Sequence, residues 1–97
     1  MPVNAALGND FRWTLTGNTH TLSNPTNSVD GQRIIVQITQ PASGGPYTIQ
    51  YGTNYLFSAG LPTPILSVTA SYTDLLGFIY NAALGKWLLA AFVNGYA

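Results

Sequence analysis

The sequence predicts a small all-β protein with a single domain, folded as an antiparallel β-sandwich or a jelly-roll-like double sheet. In several short segments apolar and polar residues alternate, which is typical of strands that bury one face. The chain of 97 residues includes ten glycines and six prolines, and such residues interrupt the alternating segments at intervals of roughly ten residues. The chain has no glutamate and only three Lys or Arg residues, so we expect no helix longer than a single turn.

We expect about eight short strands, each ended by glycine, proline or asparagine. Along the chain they cover residues 11–15, 20–22, 32–40, 47–51, 55–58, 66–70, 75–80 and 86–93. Residues 1–10 precede them as an N-terminal arm, and residues 11–97 form the β-sandwich domain. The strand at 32–40 has the clearest pattern, because Ile34, Val36 and Ile38 share one face.

The last two predicted strands are apolar on both faces, unlike the others. Such a pattern is typical of strands that are covered on both sides. A chain of this length has only a modest core, so we expect the surplus apolar side chains to contact other subunits. The candidate contact residues are Leu75, Ile79, Leu88, Phe92 and Val93, together with Val3 and Leu7 of the arm.

Charged residues make up only 6% of the chain, with three basic and three acidic side chains, against about a quarter in an average protein. Proteins with a net charge near zero tend to associate, so we expect an assembled state. The absence of a basic cluster argues against a nucleic-acid partner. No apolar run is long enough to span a bilayer or to serve as a signal peptide, so we expect no membrane partner and synthesis in the cytoplasm.

The composition gives little support for catalysis. The chain has no cysteine and one histidine, His20, and its acidic residues are Asp10, Asp30 and Asp74. A hydrolytic triad built from these residues and a serine would have no diagnostic spacing. A glycosidase needs two opposed carboxyl groups, but the three aspartates lie at turns or strand starts. We therefore expect no enzymatic activity and no cofactor.

Two binding alternatives remain open at this level. Asp30, Asn24 and Asn27 could supply oxygen ligands to a calcium ion, although Asx turns explain these residues better and we expect no metal site. The twelve aromatic residues could also supply a flat shelf for a sugar ring. The candidate shelf residues are Tyr51, Tyr55, Phe57 and Tyr72.

A series of short motifs occurs in a distinctive order. It consists of Trp13, Thr-Gly-Asn-Thr at 16–19, Leu-Ser-Asn-Pro at 22–25, Asp-Gly-Gln-Arg at 30–33, Ile-Thr-Gln at 38–40, Gly-Gly at 44–45, Phe-Ile-Tyr-Asn at 78–81 and Gly-Lys-Trp at 85–87. In this order the motifs resemble a small β-module of tailed-bacteriophage structural proteins. That module occurs as a stand-alone minor virion or head-decoration protein and near the C-termini of tail fibres. The resemblance covers about residues 11–92.

This resemblance implies a sandwich fold, multimeric assembly on the virion and no catalysis. It leads us to expect a capsid decoration subunit that assembles as a homo-oligomer, with a trimer as the expected symmetry, and that binds the major capsid protein or another virion protein. The alternative is a tail or baseplate adhesin that binds host-surface glycan or protein. In that case the loops at 23–30, 41–46 and 59–64 would carry specificity.

Overall fold

The protein is described by a computed structural model that covers residues 3–17 and 21–97. Within these residues there are seven strands and one 3-10 turn (Ala5–Leu7), which confirms the all-β prediction. The strands are β1 (Asp10–Thr14), β2 (Thr21–Leu22), β3 (Arg33–Thr39), β4 (Gln50–Tyr51), β5 (Tyr55–Leu56), β6 (Thr73–Asn81) and β7 (Lys86–Tyr96).

Five of the strands form one curled, mixed sheet that resembles half of a barrel, in the order β1-β3-β6-β7-β5. The remaining strands, β2 and β4, form a small separate sheet. Only the centre of the large sheet is antiparallel: β6 pairs antiparallel with both β3 and β7. The β1–β3, β5–β7 and β2–β4 pairs are parallel, because a long connection separates each pair and returns the chain to its starting end.

The core lies on the inner face of the curled sheet. Alternation along β3 and β6 buries Ile34 opposite Phe78, Val36 opposite Leu76 and Ile38 opposite Asp74. Other parts of the chain complete the cluster, and its further buried members are Val3, Ala5, Leu15, Leu22, Tyr55, Trp87 and Leu89. Trp87 is fully buried, and its indole Nε1 donates a hydrogen bond to Ser28 Oγ at 3.0 Å. Trp13 packs against the same cluster from β1.

The segment before β1 folds onto its own domain. The amide of Thr26 donates to the carbonyl of Val3, and the amide of Ala5 donates to the carbonyl of Thr26, both at 2.9 Å. Val3 and Ala5 are buried by this pairing. The described part of the expected N-terminal arm, from Val3 onward, is therefore not a free extension, and Val3 is unavailable to another subunit.

The β2 and β4 regions are held together by close contacts. Gly52 donates its amide hydrogen to the carbonyl of Leu22 at 2.8 Å, and Asn24 Oδ1 accepts the amide of Asn54 at 2.7 Å. A Cβ atom at position 52 would lie 2.8 Å from the backbone nitrogen of Asn24, so only glycine fits there. The hydroxyl of Tyr55 donates to the carbonyl of Ser23 at 2.8 Å and closes the contact.

The expected strand at 66–70 is absent, and of the one expected at 47–51 only Gln50–Tyr51 (β4) forms, because side chains satisfy the backbone groups in the rest. Gln40, which is buried, donates through Nε2 to the carbonyls of Tyr47 (2.8 Å) and Ser67 (2.9 Å) and accepts the amide of Tyr47 (3.0 Å). The carboxylate of Asp74, also buried, accepts the amide and the hydroxyl of Ser67, each at 2.6 Å, and the amide of Gly95 at 3.1 Å. These two side chains fix both loops without a strand ladder.

Candidate functional site

The outer face of the large sheet is apolar over β6, β7 and their neighbours. We define the outer patch as the side chains on this face, namely Ile35, Leu56, Leu75, Ile79, Leu88, Ala91 and Val93. Ile35, Leu56 and Val93 are 40%, 43% and 44% exposed. Each is large and apolar, and no described segment covers them. Polar residues of this face border the outer patch: Asp10 pairs with Ile35, Gln37 pairs with Leu75, and Arg33 pairs with Ile79.

A shallow hollow of ≈ 260 Å³ lies within the outer patch at Gly77. Gly77 pairs with Ile35 on one side and Ala91 on the other, so this position contributes no side chain to the outer face. The lining is mainly apolar and comprises Arg33, Ile34, Ile35, Gly77, Phe78, Ile79 and Ala90. A hollow of this kind can receive an apolar side chain from another molecule.

The candidate contact residues divide between the two faces of the sheet. Leu75, Ile79, Leu88 and Val93 lie on the outer face, as part of the outer patch. Phe92 lies opposite Leu76 on the inner face and packs against the core. The reason is a β-bulge: the pairs Gly77–Ala91 and Phe78–Leu89 leave Ala90 as an extra residue, which reverses the alternation in β7.

The other predicted candidates do not extend the outer patch. Val3 is buried in its own chain, as described above. The side chain of Leu7 lies outside the described part of the structure. Ile35 and Leu56 belong to the outer patch but were not among the candidates. The alternation in 32–40 already places Ile35 on the outward face, whereas Leu56 is identified only by its pairing with Leu88.

A second candidate surface is a cleft of ≈ 310 Å³ between the loops that Gln40 and Asp74 fix. We call it the loop cleft. Its lining residues are Pro46, Tyr47, Thr48, Ile49, Tyr51, Thr63, Pro64, Ile65, Leu66 and Val68. Ile65 is 81% exposed and Val68 is 69% exposed, so the rim of the cleft offers apolar groups to solvent.

Tyr51 lines the loop cleft and carries an unusual hydroxyl group. This hydroxyl is buried and has no hydrogen-bond partner among the described residues. Burial raises the pKa of the Tyr51 hydroxyl above its ordinary value of 10, and the carboxylate of Asp74 adds to the shift. The hydroxyl therefore stays protonated well into the alkaline range.

The four candidate shelf residues do not form one flat surface. Tyr51 and Phe57 meet edge to face, with ring centroids 5.0 Å apart, and Tyr51 meets Tyr55 in the same way at 6.3 Å. Tyr55 is buried and its ring lies against Phe78 at 4.8 Å, so it presents no open face. Tyr72 precedes β6 and does not line the loop cleft. Tyr51 alone of the four borders this cleft.

The acidic side chains are dispersed over the described residues. Asp10 forms an exposed ion pair with Arg12 at 3.2 Å, and Asp30 accepts the amide of Ala82 at 3.0 Å. Asp74 is enclosed by Ser67 and Gly95, and His20, the histidine of the considered triad, lies outside the described residues.

The side chains considered for calcium also bond to separate segments. Asn24 bonds to Asn54, and Asn27 donates to Asn4 at 2.8 Å. Residues 3–17 and 21–97 contain no group of three or more His, Cys, Asp or Glu side chains that could hold a metal ion. Within the same ranges, no helix is long and apolar enough to cross a membrane.

Comparisons with protein-family models, with curated proteins and with solved structures found no match.

Proposed function

We propose that this chain is a non-enzymatic structural protein of a tailed-bacteriophage virion, a capsid decoration subunit that assembles as a homo-oligomer and stabilises the particle. The motif order in the sequence supports the phage assignment. The proposal includes binding to the major capsid protein or another virion protein, and a location in the virion after synthesis in the host cytoplasm. It also includes the finer architecture: we expect the curled sheet and the β2–β4 sheet to be a reduced form of a sandwich.

The outer patch is the observation that carries this proposal. Burial of apolar surface contributes about 25 cal/mol per Å² before the costs of association. The outer patch supplies such surface mainly on the central strands of the sheet, which are already ordered, so that little conformational entropy would be lost on binding. Of the six charged side chains, Asp10, Arg33 and Lys86 border the outer patch, and both signs of charge are present there. Dense packing of subunits would therefore meet little charge repulsion.

A charge placed in the outer patch tests the proposal. Ile35→Lys puts an ammonium group beside the hollow at Gly77, and Val29→Lys makes the same change at an exposed loop position. We expect the native chain and Val29→Lys to sediment as an oligomer at micromolar concentration and to be found in purified virions. Ile35→Lys is expected to weaken self-association or particle binding at least tenfold, which corresponds to about 1.4 kcal/mol. A native chain that stays monomeric and absent from particles would overturn the proposal.

The loop cleft favours a second candidate function, an adhesin module that binds a host-surface glycan. Two of the loops expected to carry specificity border this region, and the cleft combines Tyr51 with an apolar rim. Ile65→Ser and Val68→Ser remove exposed rim side chains, and Val29→Ser serves as a control away from the cleft. Glycan-array binding that is lost in the two rim variants but kept in the control would support this function. Equal binding by all three variants, or no binding by the native chain, would contradict it.

A further inference from the structure

One edge of β7 remains unpaired over most of its length. β7 runs from Lys86 to Tyr96, but β5 pairs only with Trp87 and Leu88. Beyond Leu88, no other described strand lies along that side of β7. The side chains of Ala91, Val93 and Tyr96 are exposed. Such an edge presents backbone donors and acceptors that a further strand can use.

The direction of the free backbone groups follows from the register of the sheet. The amide of Tyr80 donates to the carbonyl of Gln32, so the backbone groups of Tyr80, Phe78 and Leu76 point toward β3. Phe92 lies opposite Leu76, hence its own N–H and C=O point away from β6. Phe92 is therefore at the middle of the open edge with both backbone groups available.

The open edge of β7 carries neither charge nor proline, two of the features that normally block strand addition, and its regular stretch at residues 91–93 lies between the bulge at Ala90 and a second register shift before Tyr96. Residues 87–97 contain no charged residue and no proline, although both are common protections of an edge strand. The opposite edge of the sheet differs, because β1 carries Asp10 and Arg12, joined by an exposed ion pair. Of the two edges, only that of β7 offers an uncharged stretch of strand, after Lys86.

A second copy of this chain fits the open edge of β7 particularly well. When two such edges pair antiparallel around Phe92, Ala91 of each copy lies opposite Val93 of the other, on the outer face. No charge opposes a like charge, which would destabilise a cross-strand pair. The two outer patches, each of which contains Ala91 and Val93, then join into one continuous apolar surface.

We infer that two copies of this protein associate through antiparallel pairing of β7, with a twofold axis at Phe92, so that one sheet runs through both subunits. The inference rests on the proposed function for its homo-oligomer and deepens it by naming the contact. The outer patches remain free in the dimer and would bind the virion. The expected symmetry changes from the trimer predicted from the sequence to a dimer, because identical edges that pair with each other form a closed twofold unit.

Cysteine cross-linking tests this register without interference, because the chain has no cysteine of its own. In the inferred dimer the Cα atoms of residues 91 and 93 of opposite copies lie about 4.5 Å apart, within the range of a disulfide. The variant Ala91→Cys/Val93→Cys should therefore give a covalent dimer in nearly all molecules under mild oxidation. The single variants Ala91→Cys and Val93→Cys are matched controls. In each single variant the two engineered cysteines, one in each copy, lie about 7 Å or more apart across the twofold axis, too far for a disulfide to form readily.

Several outcomes would overturn the inference. Rapid cross-linking of Val93→Cys alone would indicate another register. The absence of a cross-link in the double variant would also contradict the pairing, as would a trimer or a monomer in sedimentation equilibrium of the native chain. Detection of the protein in purified virions separates this test from that of the proposed function. If the protein is found in virions but the 91–93 cross-link does not form, the proposed function stands and the β7 pairing is refuted. If the cross-link forms but the protein is absent from virions, the β7 pairing stands and the proposed function is refuted.

Discussion

Gln40→Glu is a sharp test of the side-chain network that replaces strand pairing around the loop cleft. The substitution preserves the shape of the side chain but replaces the amide nitrogen by oxygen. Nε2 of Gln40 donates to the carbonyls of Tyr47 and Ser67 at 2.8 and 2.9 Å. In the variant, two carbonyl oxygens face a carboxylate oxygen inside the protein. Each of them loses its donor, at a cost of about 1–3 kcal/mol.

The expected loss in unfolding free energy is therefore roughly 2–6 kcal/mol, a large part of the roughly 5–15 kcal/mol that is typical of a domain. Urea or thermal unfolding followed by circular dichroism measures this loss, and the melting temperature should fall by roughly 4–8 °C for each kcal/mol. Gln50→Glu is the matched control, because Gln50 is exposed in β4 and the same change there should stay within about 0.5 kcal/mol. A loss below about 1 kcal/mol for Gln40→Glu, or an equal loss for Gln50→Glu, would refute the reasoning.

Three further predictions concern stability. Gly52→Ala should destabilise the fold by about 1–3 kcal/mol in urea unfolding, because the new Cβ overlaps Asn24. Gly17→Ala should show a much smaller change, because no atom of the described residues lies near its new Cβ; equal effects would contradict this. Tyr51→Phe should leave the unfolding free energy unchanged or slightly higher, since the Tyr51 hydroxyl has no described partner. Tyr55→Phe should lower the unfolding free energy by about 1 kcal/mol, because it removes the hydrogen bond to Ser23. The reverse order would be inconsistent with the structure. Burial raises the pKa of both tyrosine hydroxyls above 10, so the unfolded chain loses these protons at a lower pH than the folded chain. The unfolding free energy should therefore decline as pH rises above about 10. A denaturation midpoint that is constant from pH 9 to 11, or a pH dependence of unfolding free energy that is unchanged in Tyr51→Phe, would refute this prediction.

The all-β class and the central strand could be predicted because local alternation determines them. In β3 the buried residues Ile34, Val36 and Ile38 are the ones that the alternation places on one face. The pattern depends only on the period of a strand and on the burial of one side.

The irregular parts of the fold depend on contacts between residues that are distant in the sequence. The segment at 66–70 alternates weakly and suggested a strand, but Gln40 and Asp74 bond to the backbone of Ser67 and keep it a loop. Two buried polar side chains with defined partners leave no pattern in the sequence. The parallel pairing of β1 with β3 is likewise determined by the path of the chain and not by the residues of either strand.

The candidate contact surface was predictable only in part. Apolar residues on both faces of the last two strands indicated surplus apolar surface, and Leu75 and Ile79 do lie on the outer face. The position of Phe92 on the inner face required knowledge of the bulge at Ala90. A single extra residue reverses the face of the side chains that follow it, here as far as Val93, and no turn residue marks it.

The order of strands in the large sheet has a consequence for biosynthesis. β6 is the central strand and joins β3 to β7, yet it is synthesised only after the connecting residues 40–72. Until then, the apolar face of β3 has only β1 beside it, and the nascent chain cannot close its sheet. The sheet can therefore close only after β6 and β7 have been synthesised, and the apolar face of β3 is prone to aggregation until then.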